Sequence, residues 1–134
     1  MLKQKTKDIE VNGKKYRLTR MDARTGSYVA TKLAIIAAPL LKNKDDVKEE
    51  DLAAMLPALS RREFDELQTI ILKTVRQLVG TDEMESPIVK NNGVFVDDDL
   101  AYDVQSVINL TVQAAFFNVG DFFAEAGLMK PATE

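Results

Sequence analysis

The chain opens in alternation: Ile9 and Val11 precede Asn12-Gly13, and Tyr16 and Leu18 follow, interleaved with Lys15, Arg17 and Thr19. Alternation on both sides of Asn-Gly is a strong signal for a two-stranded hairpin, because both turn residues accept positive φ. From Asp22, a favourable N-cap, the period changes to that of a helix spanning about residues 23–42. Val29, Leu33, Ile36 and Leu40 form its apolar stripe. A second line, Gly26, Ala30, Ala34 and Ala38, consists of small residues that let another backbone approach closely. Pro39 removes one donor and is expected to kink the last turn.

Residues 43–46 read as a polar loop, and residues 47–59 as a short helix with Leu52, Met55, Leu56 and Leu59 apolar and an end blurred by Pro57. Ser60-Arg61-Arg62-Glu63 is a capping-box sequence that opens the clearest helix of the chain. Phe64, Leu67, Ile71, Val75 and Leu78 share one of its faces, Arg61, Asp65, Glu66, Lys73, Arg76 and Gln77 the other, and Gly80 fits the C′ position. Residues 81–86 are a charged connector. A second hairpin is predicted at residues 88–90 and 94–96, joined by Asn91-Asn92-Gly93. The final helix starts near Asp97-Asp98-Asp99, acids suited to a helix N-terminus, and runs to about Ala126, with Gly127 as its stop. Asn118-Val119-Gly120 is a candidate bend or break. The pattern thus predicts an α+β, mostly helical fold. It has three to four helices and two short β-hairpins, one N-terminal and one preceding the last helix. Residues 1–134 form a single domain with loose ends at 1–6 and 130–134.

The last helix is the most informative. At about 100° per residue, Leu100, Val104, Val107, Ile108, Thr111, Ala115, Val119, Phe122 and Ala126 share one broad face, which Val112, Phe116 and Phe123 widen. Leu110 and Phe117 point elsewhere, among Asp103, Ser106 and Asp121. They either pack under a hairpin or form an exposed anchor for another protein. Burying one such side chain is worth roughly 1.5–3 kcal/mol, so an exposed pair needs a reason. The candidate partner-binding residues are therefore Leu110 and Phe117, with Phe116 and Phe123 beside them and Gly26, Ala30 and Ala34 as a second ridge. If Leu110 and Phe117 are anchors, changing both to serine abolishes binding and leaves melting nearly unchanged.

Composition removes most chemistry. The chain has neither cysteine nor histidine, which excludes disulfides, thiolate nucleophiles, Cys/His zinc sites and an imidazole base. No glycine-rich phosphate loop or nucleophile elbow is present. Asp97, Asp98, Asp99 and Asp103 do not follow a calcium-loop pattern, since Tyr102 and Ile108 stand where Gly and Glu are required. Helix capping accounts for them better. No enzyme, catalytic residue, metal or cofactor is expected. The longest apolar run, residues 33–41, is broken by Pro39 and far short of the roughly 20 residues of a membrane span. The lysine-rich start has no apolar core of a signal peptide, so a soluble cytoplasmic protein is expected. Residues 1–20 carry seven Lys/Arg against two acids, and residues 97–134 seven acids against Lys130. The basic arm lacks aromatic interleaving beyond Tyr16, which argues against nucleic acid. Opposite charge at the two ends fits a homo-oligomer or simply a solvated surface.

The order of elements resembles the tail assembly chaperones of long-tailed bacteriophages and related prophages of Gram-positive bacteria. The likeness rests on the lysine-rich lead, the Val11-Asn12-Gly13-Lys14-Lys15-Tyr16-Arg17-Leu18 hairpin and Asp22-Ala23-Arg24-Thr25-Gly26-Ser27-Tyr28 opening an alanine-rich helix. It extends to Ala115-Phe116-Phe117-Asn118-Val119-Gly120-Asp121-Phe122-Phe123. The resemblance implies a non-catalytic protein of the bacterial host cytoplasm that coats the long helical tape measure protein and recruits tail tube subunits. It transfers no functional residue by name. Rival readings are a head–tail connector or tail-completion protein, a bacterial regulatory module that binds proteins, and a metal-dependent hydrolase using the Asp97–Asp103 cluster.

Overall fold

The computed structural model describes the backbone of residues 5–41 and 48–125, without the side chains at 36–41, 52, 121 and 123–125. The expected helix end at Lys42, the 43–46 loop, Val47, Ala126, Gly127 and the segments 1–4 and 130–134 lie outside the described residues. So do the side chains of Ile36, Ala38, Pro39, Leu40, Leu52 and Phe123.

Strands β1 (Thr6–Val11) and β2 (Lys14–Thr19) form the N-terminal hairpin in the expected register, with Ile9 opposite Tyr16. Asn12 and Gly13 have φ of 51° and 78°, the left-handed pair such a turn demands. Helix α1 (Ala23–Leu41) starts at Asp22, whose carboxylate accepts from the Thr25 amide at 3.1 Å and the Thr25 hydroxyl at 2.6 Å. Helix α2 (Glu49–Met55) passes into a 3₁₀ turn (Leu56–Ala58) containing Pro57. Helix α3 (Arg61–Leu72) carries the capping box in full: Glu63 N donates to Ser60 Oγ, and Ser60 N to Glu63 Oε1, both at 3.1 Å.

The third helix is shorter than its apolar period suggests. It ends at Leu72, and Val75–Val79 becomes strand β3, paired with β2 through Leu18 and Val75. Val75 and Leu78 fit a helical stripe continued from Ile71, but the open edge of β2 offers Val75 a fully buried place and its strand a hydrogen-bonded partner. Gly80, with φ of 76°, is therefore a turn glycine and not a helix stop. The supposed connector contains strand β4 (Met84–Pro87), paired with β3. The second hairpin is thus β3–β4. The segment expected to form it keeps only one bridge, between Val89 and Phe95, closed by Lys90 N to Val94 O at 2.8 Å. Among the described residues the sheet is antiparallel in the order β1-β2-β3-β4.

The last helix is two. A single turn, α4 (Asp98–Ala101), precedes α5 (Val104–Glu125), and Asp103 between them caps α5 by accepting from Ser106 N and Oγ at 3.1 and 2.7 Å. Asn118-Val119-Gly120 remains helical. Helices α1, α2 and α3 all pack on α5, which also meets β1 and β2. The core gathers where they meet, around Tyr16, Leu18, Val29, Met55, Leu110 and Val119.

Candidate functional site

Helix α5 lies along the N-terminal hairpin. At one end Asn12, in the β1–β2 turn, donates to Asp103 at 3.2 Å. At the other, Arg20 after β2 stacks 3.9 Å from the centroid of the Phe117 ring and donates to the Phe117 carbonyl. The flank between them, Ser106, Leu110 and Ala114, is buried, and Leu110 is 0% exposed. Leu110 is therefore a core residue and not an exposed anchor, because the hairpin covers the side of the helix on which it stands. Phe117 is half-buried under Arg20.

The rest of the aromatic motif also has internal work. Asn118 Oδ1 accepts from Met21 N at 2.7 Å, while its Nδ2 donates to the carbonyls of Thr19 and Ala114 at 3.3 and 3.0 Å. One side chain thus ties α5 to the junction between β2 and α1. A Cβ on Gly120 would stand 3.1 Å from the Phe116 ring, so the glycine makes room for the half-buried Phe116.

The small-residue ridge is divided. Ala30 is buried, while Gly26 and Ala34 are half-buried, Ala34 against the core. Gly26 and Ala30 line an open groove of about 410 Å³ between α1 and α5, walled opposite by Val119 and Phe122. A Cβ on Gly26 would meet nothing nearer than Met21 at 3.9 Å, so space stays open above it.

A second groove, of about 360 Å³, runs between α2 and the first turns of α5. Ala53 and Val112 form its floor, Val104 and Ile108 stand along one side, and Glu49 and Glu50 overlook it. Exposure rises along α5 from 7% at Val112 through 39% at Ile108 to 70% at Val104. The helical wheel placed Val104 and Ile108 on one broad face with Ala115 and Val119, which are buried. Angular position says which residues stand together, but not how far a covering helix extends, and α2 leaves the first turns of α5 open. Tyr102, in the link before α5, is exposed as well.

The carboxyls do structural work. Hydrogen bonds from the Ser106 hydroxyl and amide hold Asp103 below the ordinary carboxylate range, as the Ser60 amide does for Glu63 and the Thr25 hydroxyl for Asp22. A general acid needs the opposite shift. Asp97 accepts from Asp99 N at 3.0 Å, a cap for α4. Among the described residues no three metal-ligating side chains gather around one point. Among them, too, no helix is long and apolar enough to cross a membrane.

A family model described as phage tail assembly chaperone protein, TAC, matches residues 12–130. The chain belongs to this family. No curated protein and no solved structure matches it.

Proposed function

We propose that this tail assembly chaperone works without catalysis. It covers apolar helical stretches of the tape measure protein and brings them together with tail tube subunits in the cytoplasm of the bacterial host. The observation that carries the reading is the α2–α5 groove, where Val104 and Ile108 stand exposed on a helix whose other described apolar side chains are buried or half-buried. Large apolar side chains lining an open groove fit a protein that accepts greasy surface from another. The absence of cysteine and histidine, with carboxyls tuned downward as caps, supports a binding role over a chemical one. The α1–α5 groove, lined by Gly26 and Ala30 on one side and Val119 and Phe122 on the other, is the second contact surface.

Co-expression with a tagged fragment of the tape measure protein tests this. The wild-type chain is expected to be captured and to keep the fragment in the soluble fraction, and Val104→Ser/Ile108→Ser is expected to lose both effects while staying folded and melting within a few degrees of wild type. A wild-type chain that neither binds nor solubilises the fragment overturns the proposal.

A further inference from the structure

We infer that the α2–α5 groove takes a short amphipathic helix whose apolar stripe is flanked by lysine or arginine. This deepens the function proposed above and rests on it. Both walls of the groove are helices; beyond the first-turn amides at Glu49, Glu50, Val104 and Gln105 their backbone groups are bonded along their own axes, so an extended strand would find no continuous run of main-chain partners there. An occupant must satisfy its own backbone, as a helix does. Val104 and Ile108, four residues apart, make a ridge that descends to the buried Val112 in the floor, and the side chains of such a helix can interdigitate over it. At 1.5 Å per residue that ridge is about 12 Å long, roughly two turns of the occupant.

Charge chooses among amphipathic helices. Glu49 and Glu50 stand exposed over the groove, and neither forms an ion pair among the described residues. The chain has no lysine or arginine between Lys90 and Lys130, so α5 brings no positive charge to its wall. Lys48, which precedes α2, is the nearest base along the chain. Two exposed carboxylates beside apolar side chains complement a stripe edged with cations and repel one edged with acids. A second copy of this chain, docking through the same groove, would bring the same carboxylates.

The test uses the full chain and two labelled helical peptides with the same Leu/Ile stripe, one flanked by Lys and the other by Glu. In fluorescence anisotropy at about 0.05 M salt the Lys peptide is expected to bind roughly fivefold tighter or more, with the gap closing near 0.5 M. Glu49→Gln/Glu50→Gln is expected to remove the preference, and Ile108→Ser to weaken both peptides about tenfold. Both changes are on exposed positions, and circular dichroism checks that the fold is kept. No preference in wild type, or one that survives the double glutamine change, overturns the inference. So does release of a dimer by the Lys peptide in sedimentation, which would make a second copy the occupant. A tape measure fragment captured by the chain and displaced by the Lys peptide supports both levels. Capture without displacement overturns the groove assignment alone. No capture, with the peptide preference intact, overturns the client reading alone.

Discussion

Replacing Leu110 with alanine removes three carbon atoms from a site with no solvent exposure. Transfer of those carbons accounts for roughly 2–2.5 kcal/mol at about 0.8 each, and the hole left behind raises the usual cost to about 2–5 kcal/mol. Alanine is the best helix former, so the loss reports packing and not a weakened α5. In a chain of this length about 3 kcal/mol corresponds to a fall in Tm of roughly 10 °C. Ile108→Ala, two residues earlier and 39% exposed, is expected to cost less than about 1 kcal/mol because part of its surface is already in water. Urea denaturation followed by circular dichroism measures both. Changing Leu110 and Phe117 together to serine is accordingly expected to unfold the chain, so lost binding in that variant would say nothing about a docking surface. A Leu110→Ala protein within about 0.5 kcal/mol of wild type, with Ile108→Ala clearly destabilised, would refute this account of how α5 is seated.

Asn118→Leu removes the acceptor of the Met21 amide and two donated bonds; it is expected to cost about 1–3 kcal/mol, and an unchanged urea midpoint would count against the tie between α5 and the β2–α1 junction. Gly93→Ala places a Cβ at φ 86° and 3.1 Å from Thr69 Oγ1, so a loss of at least about 1 kcal/mol is expected, and a neutral result would show that the turn re-forms. Asp22, Glu63 and Asp103 have folded pKa values below their unfolded ones. Their contribution is therefore complete above the unfolded carboxylate range and fades as pH falls through the lower folded values. The urea midpoint is expected to drop between pH 7 and about pH 3, and Ser106→Ala to shrink the part due to Asp103; equal midpoints at the two pH values would contradict this.

What could be read in the sequence was local chemistry. Asn12-Gly13, Asp22 and the Ser60/Glu63 box each fix a turn or a helix start with atoms a few residues apart, and all three stand where expected. Failures came where a distant partner decides. Val75 and Leu78 suit a helix or a strand equally, and only the free edge of β2 selects the strand. Met84–Pro87 has no apolar alternation at all; its pairing with β3 makes it a strand. The wheel of α5 grouped its side chains well, yet only the cover given by the hairpin decides between the two places left open for Leu110, and only the cover withheld by α2 leaves Ile108 exposed. Asn118 signalled a bend by its neighbours Val119 and Gly120, and its clamp became visible only once Met21 and Thr19 were placed beside it.

Hydrogen exchange of the chain, alone and with a soluble fragment of the tape measure protein, addresses the central claim most directly. If the chain serves by covering apolar helix with its own exposed groove, amides of α2 and of the first turns of α5 gain protection while the β1–β2 hairpin stays as it was. Protection confined to the sheet, or none anywhere at saturating fragment, would contradict that account.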